Sequence, residues 1–130
     1  MSDTLQRDLK ILIVDDSVLL AKRIQNLFNE MDGVHVMGYS MDARNALFEI
    51  TNKVPDVVLI DVQLPEQQGI DLLRYIRNNH PQMVTIMLTS MADQEYNDIC
   101  LKLGAHYYLD KTTGLDNLQP FISKIQKLVR

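Results

Sequence analysis

The sequence predicts an α/β protein in which a parallel β-sheet is covered by helices on both faces. Short apolar runs rich in β-branched residues alternate along the chain with segments whose apolar residues recur at helical spacing. The clearest run, Val57-Val58-Leu59-Ile60, is too short for a helix and suits a strand buried on both faces. Strands that alternate with helices over short connections indicate a parallel sheet with right-handed crossovers.

Five strand–helix units are predicted in order. The predicted strands are residues 11–14, 34–39, 56–60, 84–88 and 105–109, and the helical patterns cover about 20–31, 43–50, 70–76, 93–103 and 115–129. The second strand is less apolar than the first, which favours a place at the sheet edge. Asp32-Gly33 is a signal for the end of the first helix. Pro120 is compatible only with the first turn of the last helix.

Composition limits the class of protein. With 130 residues and 46% hydrophobic residues, the chain is expected to form one domain over residues 9–130, after a polar arm at 1–8. The net charge of −4, without a run of Lys or Arg, argues against nucleic acid as a partner. The single cysteine excludes an internal disulfide. No apolar run approaches the roughly 18 residues that span a bilayer, and no signal peptide is recognised, so we expect a cytoplasmic protein without a membrane partner.

Polar residues follow four of the predicted strands at the point where each strand ends. They are Asp15 and Asp16 after the first strand, Asp61 after the third, Thr89 and Ser90 after the fourth, and Lys111 after the fifth. The carboxyl ends of parallel strands meet at one edge of the sheet, where ligands bind in this architecture. We therefore expect three acids, a hydroxyl group and one lysine to lie together.

The charges of this cluster indicate its chemistry. Two carboxylates about 4 Å apart repel by roughly 4 kcal/mol at an effective dielectric constant near 20. Lys111 supplies only one positive charge against three carboxylates, so we expect a divalent cation to balance the remaining negative charge. An all-oxygen site with open water positions suits Mg²⁺. A metal, a lysine and a hydroxyl group around one carboxylate are what a phosphoryl group in transfer needs. Asp61 is then the predicted nucleophile, which would form an aspartyl-phosphate.

These residues resemble a known family, the receiver domains of bacterial two-component response regulators, in their stand-alone CheY-like form. The resemblance extends from about residue 9 to 129. It rests on Asp15-Asp16, the Asp-x-x-Leu-Pro-x-x-x-Gly run from Asp61 to Gly69, Leu88-Thr89-Ser90, Gly104-Ala105 and Lys111. It implies a flavodoxin-like, doubly wound (βα)5 fold with a five-stranded parallel sheet in the order 2-1-3-4-5.

The resemblance also implies roles for individual residues. Asp61 would accept a phosphoryl group from the phosphohistidine of a sensor kinase, and Thr89 and Lys111 would bind that group after its arrival. Tyr108 would turn inward as the switch residue. The face formed by the fourth helix, fifth strand and fifth helix would then change shape for a partner. Magnesium would be held by Asp15, Asp16, Asp61 and the backbone carbonyl of Gln63.

The partners implied are a sensor histidine kinase or phosphotransfer protein and a downstream effector protein. We expect a monomer, with dimerisation on phosphorylation left open, that catalyses only its own phosphorylation and dephosphorylation. A signal that leaves through protein–protein contact is typical of a chemotaxis-type effector or a phosphorelay intermediate. The alternatives are the N-terminal receiver of a longer transcriptional regulator, and a receiver that acts without phosphorylation.

One position departs from the family pattern, and two others have an open effect on the lifetime of the phosphate. Thr112 stands where the family usually has proline after its lysine, so the cis peptide bond often found there is not expected. Gln63 and Met91 would border the phosphoryl site and influence the lifetime of the phosphate. Met91 would hinder an attacking water and Gln63 would orient one, so the sign of the net effect stays open.

Each candidate residue also has a purely structural interpretation. Asp15 and Asp16 would cap the first helix, Thr89 would end its strand, and Lys111 would be a solvated loop residue. Tyr107 and Tyr108 alternate across the sheet, so one is expected in the core and the other as the switch.

Two other protein classes fit the pattern less well. A flavodoxin needs a hydroxyl- and glycine-rich phosphate loop after its first strand, where this chain has two acids. A phosphatase of the haloacid-dehalogenase type has its nucleophile after the first strand and carries a cap domain, for which this chain has no room.

Overall fold

The structure, a computed structural model, describes residues 8–90 and 94–128, apart from the side chain of Tyr96. The strands are β1 (Leu9–Val14), β2 (Val34–Ser40), β3 (Val57–Asp61), β4 (Val84–Thr89) and β5 (Tyr107–Asp110). The helices are α1 (Val18–Asn29), α2 (Ala43–Lys53), α3 (Gln68–Asn79), α4 (Gln94–Lys102) and α5 (Leu118–Leu128). Short 3₁₀ turns at Pro65–Gln67 and Leu115–Asn117 lead into α3 and α5.

The five strands form one parallel sheet in the order β2-β1-β3-β4-β5, which confirms the predicted fold and strand order. Every residue of β3 is buried, as its unbroken apolar run predicts for a central strand. Strand β2 is mostly half-buried and lies at the edge, in agreement with its weaker apolar character.

Apolar side chains form two cores, one on each face of the sheet. Alternate residues of β3 point to opposite sides, so Val58 and Ile60 join one core while Val57 and Leu59 join the other. The first core takes its helical side chains from α2, α3 and α4, and the second takes them from α1 and α5. The helices are thereby fixed on both faces, and the carboxyl edge of the sheet is left to present polar groups.

Several element boundaries differ from the predictions for local reasons. Strand β3 begins at Val57, one residue later than predicted, although the backbone N–H and carbonyl of Asp56 already bond Lys10 of β1 and Val84 of β4. Strand β5 begins at Tyr107, because the N–H of Ala105 still bonds the carbonyl of Cys100 in α4. Helix α1 ends at Asn29, before the Asp32-Gly33 signal. Pro120 lies in the first turn of α5, as predicted.

The longest helices of the described ranges, α1 and α3, have 12 residues each. No helix within those ranges is long and apolar enough to cross a membrane.

Candidate functional site

The residues predicted from the strand ends come together at the carboxyl edge of the sheet. Asp61 is the last residue of β3 and Thr89 the last residue of β4, while Asp15 and Lys111 come directly after β1 and β5. Asp15, Asp61 and Thr89 are all buried. The sheet order places β1 and β4 on either side of β3, so Asp61 occupies the centre of the cluster.

The start of α1 is capped by Ser17. Its hydroxyl accepts the N–H of Leu20 at 3.2 Å, which is the usual arrangement of a helix N-cap. The Oδ1 atom of Asp15 accepts the N–H of Ser17 at 2.8 Å and thus holds the turn that precedes the helix. Capping of α1 by Asp15 or Asp16 is therefore the wrong interpretation of the acidic pair.

The three acids are close enough to share a cation. One oxygen from each of Asp15, Asp16 and Asp61 lies within 4.8 Å of the other two. The Oδ2 atom of Asp15 is buried and accepts no hydrogen bond within the described residues, and it faces Nζ of Lys111 at 3.5 Å, so a further cation or a water molecule would stabilise it. Three carboxylates with one exposed member, Asp16, suit Mg²⁺, which keeps part of its water shell.

Lys111 faces the acids across the edge of the sheet. Its Nζ atom lies 3.1 Å from Oδ2 of Asp61 and 3.5 Å from Oδ2 of Asp15, and only 18% of its side chain is exposed. Burial lowers the pKa of Lys111, but hydrogen bonding to Asp61 and the charges of both acids outweigh it and leave the pKa raised. Lys111 is consequently an ammonium group of the site, and its interpretation as a solvated loop residue is wrong.

Burial raises the pKa of Asp15, whereas it lowers the pKa of Lys111. Loss of water around the carboxyl group raises the pKa of Asp15, and the nearby Asp61 adds to this rise. The N–H of Ser17 and the ammonium group of Lys111 lower the pKa but do not cancel the effect of burial. Asp15 therefore has an unfavourable negative charge that further positive charge would stabilise.

Gln63 joins the loop after β3 to the loop after β4. Its backbone N–H donates to Oδ1 of Asp61 at 2.8 Å, and its side-chain oxygen accepts the hydroxyl of Ser90 at 2.8 Å. The bond from Ser90 was not predicted, because nothing in the sequence indicates that these two side chains meet across the sheet edge. The metal-binding role of the Gln63 carbonyl stays a prediction, and Met91 lies outside the described residues.

Thr89 connects this edge of the sheet to β5, the strand that contains both tyrosines. The hydroxyl of Thr89 donates to the backbone carbonyl of Leu109 at 3.3 Å. Tyr107 stacks on Phe121 with ring centroids 4.4 Å apart, against the core beneath α1 and α5. Tyr108 packs against the opposite core and is half-buried. The two rings lie on opposite faces, as their alternation predicts. Both are half-buried, so burial does not separate a core tyrosine from a switch tyrosine as expected, and the switch role of Tyr108 stays a prediction.

The loop after Asp61 depends on Gly69. A Cβ atom at this position would collide with the carbonyl oxygen of Asp61 and lie 3.0 Å from Cα of Val62. Only glycine lets the start of α3 approach the backbone of β3 this closely. Glu66 and Gln67 in the preceding turn have φ values of 58° and 62°, which are uncommon for residues other than glycine. The Leu-Pro-x-x-x-Gly part of the motif thus holds the peptide of Asp61 in place.

Comparisons with known proteins agree with this geometry. A family model for the response regulator receiver domain matches residues 11–123. The protein-glutamate methylesterase/protein-glutamine glutaminase of Trichodesmium erythraeum (strain IMS101) is 32% identical over 120 residues, which are 91% of this chain and 34% of that protein. Response regulator GacA of Pseudomonas syringae pv. syringae (strain B728a) is 30% identical over 107 residues, which are 82% of this chain and 50% of that protein.

A solved structure, the Francisella response regulator 1452 receiver domain, has a TM-score of 0.83 and 29% sequence identity. The match covers 95% of this chain and all of that one. The chain spans about a third to a half of the length of the two curated relatives described above.

Proposed function

The chain belongs to the response regulator receiver domain family, and from this premise we propose that it is a phosphoacceptor signalling module with Asp61 as the acceptor. A carboxylate oxygen of Asp61 attacks the phosphorus of a phosphohistidine on a sensor kinase or phosphotransfer protein. The P–N bond breaks, its electron pair returns to the imidazole nitrogen, and the aspartyl-phosphate forms.

The observation that carries this proposal is the position of Asp61. Its carboxylate is buried at the centre of the sheet edge, with Nζ of Lys111 at 3.1 Å and the oxygens of Asp15 and Asp16 within 4.8 Å. In this arrangement Lys111 would neutralise an oxygen of the incoming phosphoryl group. Asp15, Asp16, Asp61 and the carbonyl of Gln63 would hold Mg²⁺, which would neutralise the other phosphoryl oxygens.

Signalling would follow from a change of packing. The phosphoryl group adds roughly −1.5 to −2 charges near pH 7. The hydroxyl of Thr89 would leave the carbonyl of Leu109 for a phosphoryl oxygen, and Tyr108 would move into the space that Thr89 vacates. The face formed by α4, β5 and α5 would then favour an effector protein that binds one packing better than the other. Catalysis by the module is limited to its own phosphorylation and dephosphorylation.

The first test is incubation of the purified protein with Mg²⁺ and acetyl phosphate, a small-molecule phosphodonor, followed by intact-mass measurement. A gain of one phosphoryl group in the parent and none in Asp61→Asn supports Asp61 as the acceptor. No gain, with Mg²⁺ binding retained, would favour an acceptor that needs its kinase or a receiver that acts without phosphorylation. Absence of both phosphorylation and Mg²⁺ binding would contradict the proposed site.

A second candidate role is the receiver module of a longer regulator. It is favoured by the lengths of the curated relatives, of which this chain spans only a part. In that role the α4–β5–α5 face would contact an output domain of the same protein and not a separate effector. Further coding sequence after the codon for Arg130 would support this role, and a stop codon there would favour a stand-alone cytoplasmic protein.

A further inference from the structure

The turn that carries Lys111 is organised by the side chain of the preceding residue. The Oδ1 atom of Asp110 accepts three hydrogen bonds: from the backbone N–H of Thr112 at 2.7 Å, from its hydroxyl at 2.6 Å and from the N–H of Thr113 at 3.1 Å. One carboxylate oxygen thus closes a turn around Lys111. Side chains of aspartate commonly stabilise such turns by bonding backbone groups two or three residues ahead.

Backbone contacts close the same segment from both sides. The N–H of Lys111 donates to the carbonyl of Thr89 at 2.8 Å, and the N–H of Gly114 donates to the carbonyl of Asp110 at 2.9 Å. A Cβ atom at Gly114 would lie 2.8 Å from the nitrogen and 2.9 Å from the oxygen of Asp110, so the chain returns too closely for any other residue. Residues 110–114 therefore form a compact, closed turn.

The turn has a direct bearing on the site. Lysine has a long, flexible side chain, and the place where its ammonium group comes to rest depends on how well its backbone is held. The Lys111–Thr112 peptide bond is trans, as predicted from the missing proline. Thr112 instead contributes two of the three donors to Asp110. The restraint that a proline ring would give to this loop is replaced by hydrogen bonds.

We propose that Asp110 is a positioning residue, whose carboxylate holds the turn from which Lys111 reaches Asp61 and Asp15. Among the described residues, the side chain of Asp110 accepts hydrogen bonds from Thr112 and Thr113 and forms none with the three acids, so it would act through Lys111. The inference rests on the proposed phosphoacceptor function, in which Lys111 meets the phosphoryl group. The hydrogen bonds from Thr112 and Thr113 also lower the pKa of Asp110, so its oxygens are ionised acceptors at neutral pH.

The test compares Asp110→Ala with Asp110→Asn. Asparagine keeps the acceptor oxygen and loses the charge, whereas alanine loses both. The two variants therefore distinguish the effect of losing the hydrogen bonds of the turn from the effect of losing the charge. With acetyl phosphate and Mg²⁺, we expect Asp110→Ala to slow phosphorylation about threefold to tenfold, the equivalent of one hydrogen bond of ordinary strength. Asp110→Asn should stay within about twofold of the parent rate. Equal slowing by both variants would contradict the proposal and assign the effect to charge.

A second background separates positioning from a merely structural role. Lys111→Met removes the ammonium group, so Asp110→Ala should cause no further slowing in that background. The same fold of slowing with and without the lysine would overturn the proposal, because Asp110 would then act by another route. Thermal unfolding of each variant checks that all of them are folded at the assay temperature.

A third measurement does not depend on phosphorylation. Acetic anhydride acylates exposed lysine amines, and mass spectrometry of peptides gives the rate at Lys111 alone. That rate should rise several-fold in Asp110→Ala and stay near the parent value in Asp110→Asn, with Lys22 on α1 as the internal reference. An unchanged rate in Asp110→Ala would contradict the proposal. If neither acetyl phosphate nor a phosphohistidine donor phosphorylates the parent protein, the phosphoacceptor function fails, and the labelling rate still decides whether Asp110 positions Lys111.

Discussion

The hydroxyl of Thr89 and the backbone carbonyl of Leu109 are joined by a 3.3 Å hydrogen bond between the ends of β4 and β5. The bond is buried, and it turns the hydroxyl towards β5. A phosphoryl group at Asp61 would offer the same hydroxyl a charged acceptor, and hydrogen bonds to charged groups are stronger than those to neutral carbonyls. The proposed switch therefore exchanges one hydrogen bond for a stronger one, and this difference would favour the switched packing.

The first prediction is that Thr89→Ala separates phosphorylation from switching. The variant should accept phosphate from acetyl phosphate, since Asp61 and Lys111 are untouched, but it lacks the hydroxyl that would move. NMR resonances of Tyr108 should shift on phosphorylation in the parent and stay in place in Thr89→Ala. Thr89→Ser keeps the hydroxyl and serves as the matched control. A normal shift in Thr89→Ala would contradict the coupling of Thr89 to Tyr108.

The second prediction concerns the pH dependence of stability through Asp15. Because its pKa is raised in the folded state, Asp15 stabilises the fold below its unfolded pKa, and this contribution is lost as the pH rises through the folded pKa. Asp15→Asn has no charge to bury and should increase the free energy of unfolding by about 1 kcal/mol at neutral pH without magnesium.

The difference between Asp15→Asn and the parent should shrink as the pH falls towards 3.8, the ordinary pKa of the side chain. Urea unfolding at several pH values measures it. Asp16→Asn, at an exposed position, is the control and should change stability little. A difference that grows towards low pH would mean that burial is not the dominant influence on Asp15.

The third prediction is that Gly69→Ala destabilises the fold. The added Cβ atom would collide with the backbone of Asp61, and backbone cannot move away as a flexible side chain can. We expect a loss of about 1–3 kcal/mol in the free energy of unfolding, together with slower phosphorylation because the peptide of Asp61 is displaced. Asp71→Ala, an exposed change in the first turn of α3, is the matched control. Parent-like stability of Gly69→Ala would show that the two segments separate easily.

The fourth prediction distinguishes the two tyrosines. Tyr107 stacks on Phe121 at 4.4 Å, so Tyr107→Ala removes a ring contact between β5 and α5. The expected loss is about 2 kcal/mol in the free energy of unfolding, less than for a fully buried ring because Tyr107 is half-buried. Tyr107→Phe preserves the stack and should cost little. A large loss in both variants would mean that the hydroxyl, and not the ring, stabilises this position.

The elements and the site residues could be predicted from the sequence because buried strands leave a strong apolar signal. Runs such as that of β3 also mark where each strand ends, and hence which polar residues reach the edge. The strand order was implied by the resemblance. Contacts between loops, such as that of Ser90 with Gln63, depend on which side chains face one another after folding, and no local pattern encodes them.

The hydrogen bonds of the turn at Asp110 could not be predicted from the sequence either. Absence of proline at Thr112 predicts a trans peptide bond, but it does not predict what restrains the loop instead. That restraint depends on the conformation of one aspartate side chain, which can also point to solvent at little cost in free energy. Sequence patterns identify the residue types of a site more readily than the hydrogen bonds that hold them.

The site also links function to the folding of the whole domain. Asp15 and Asp16 follow β1, Asp61 ends β3, and Lys111 follows the last strand, so no fragment that lacks the end of β5 can contain charges of both signs. The site exists only when all of β1, β3, β4 and β5 are assembled. Any ligand that binds these acids would therefore stabilise the native state as a unit, in proportion to the logarithm of its concentration. Loss of cooperative folding and loss of phosphate acceptance should consequently coincide.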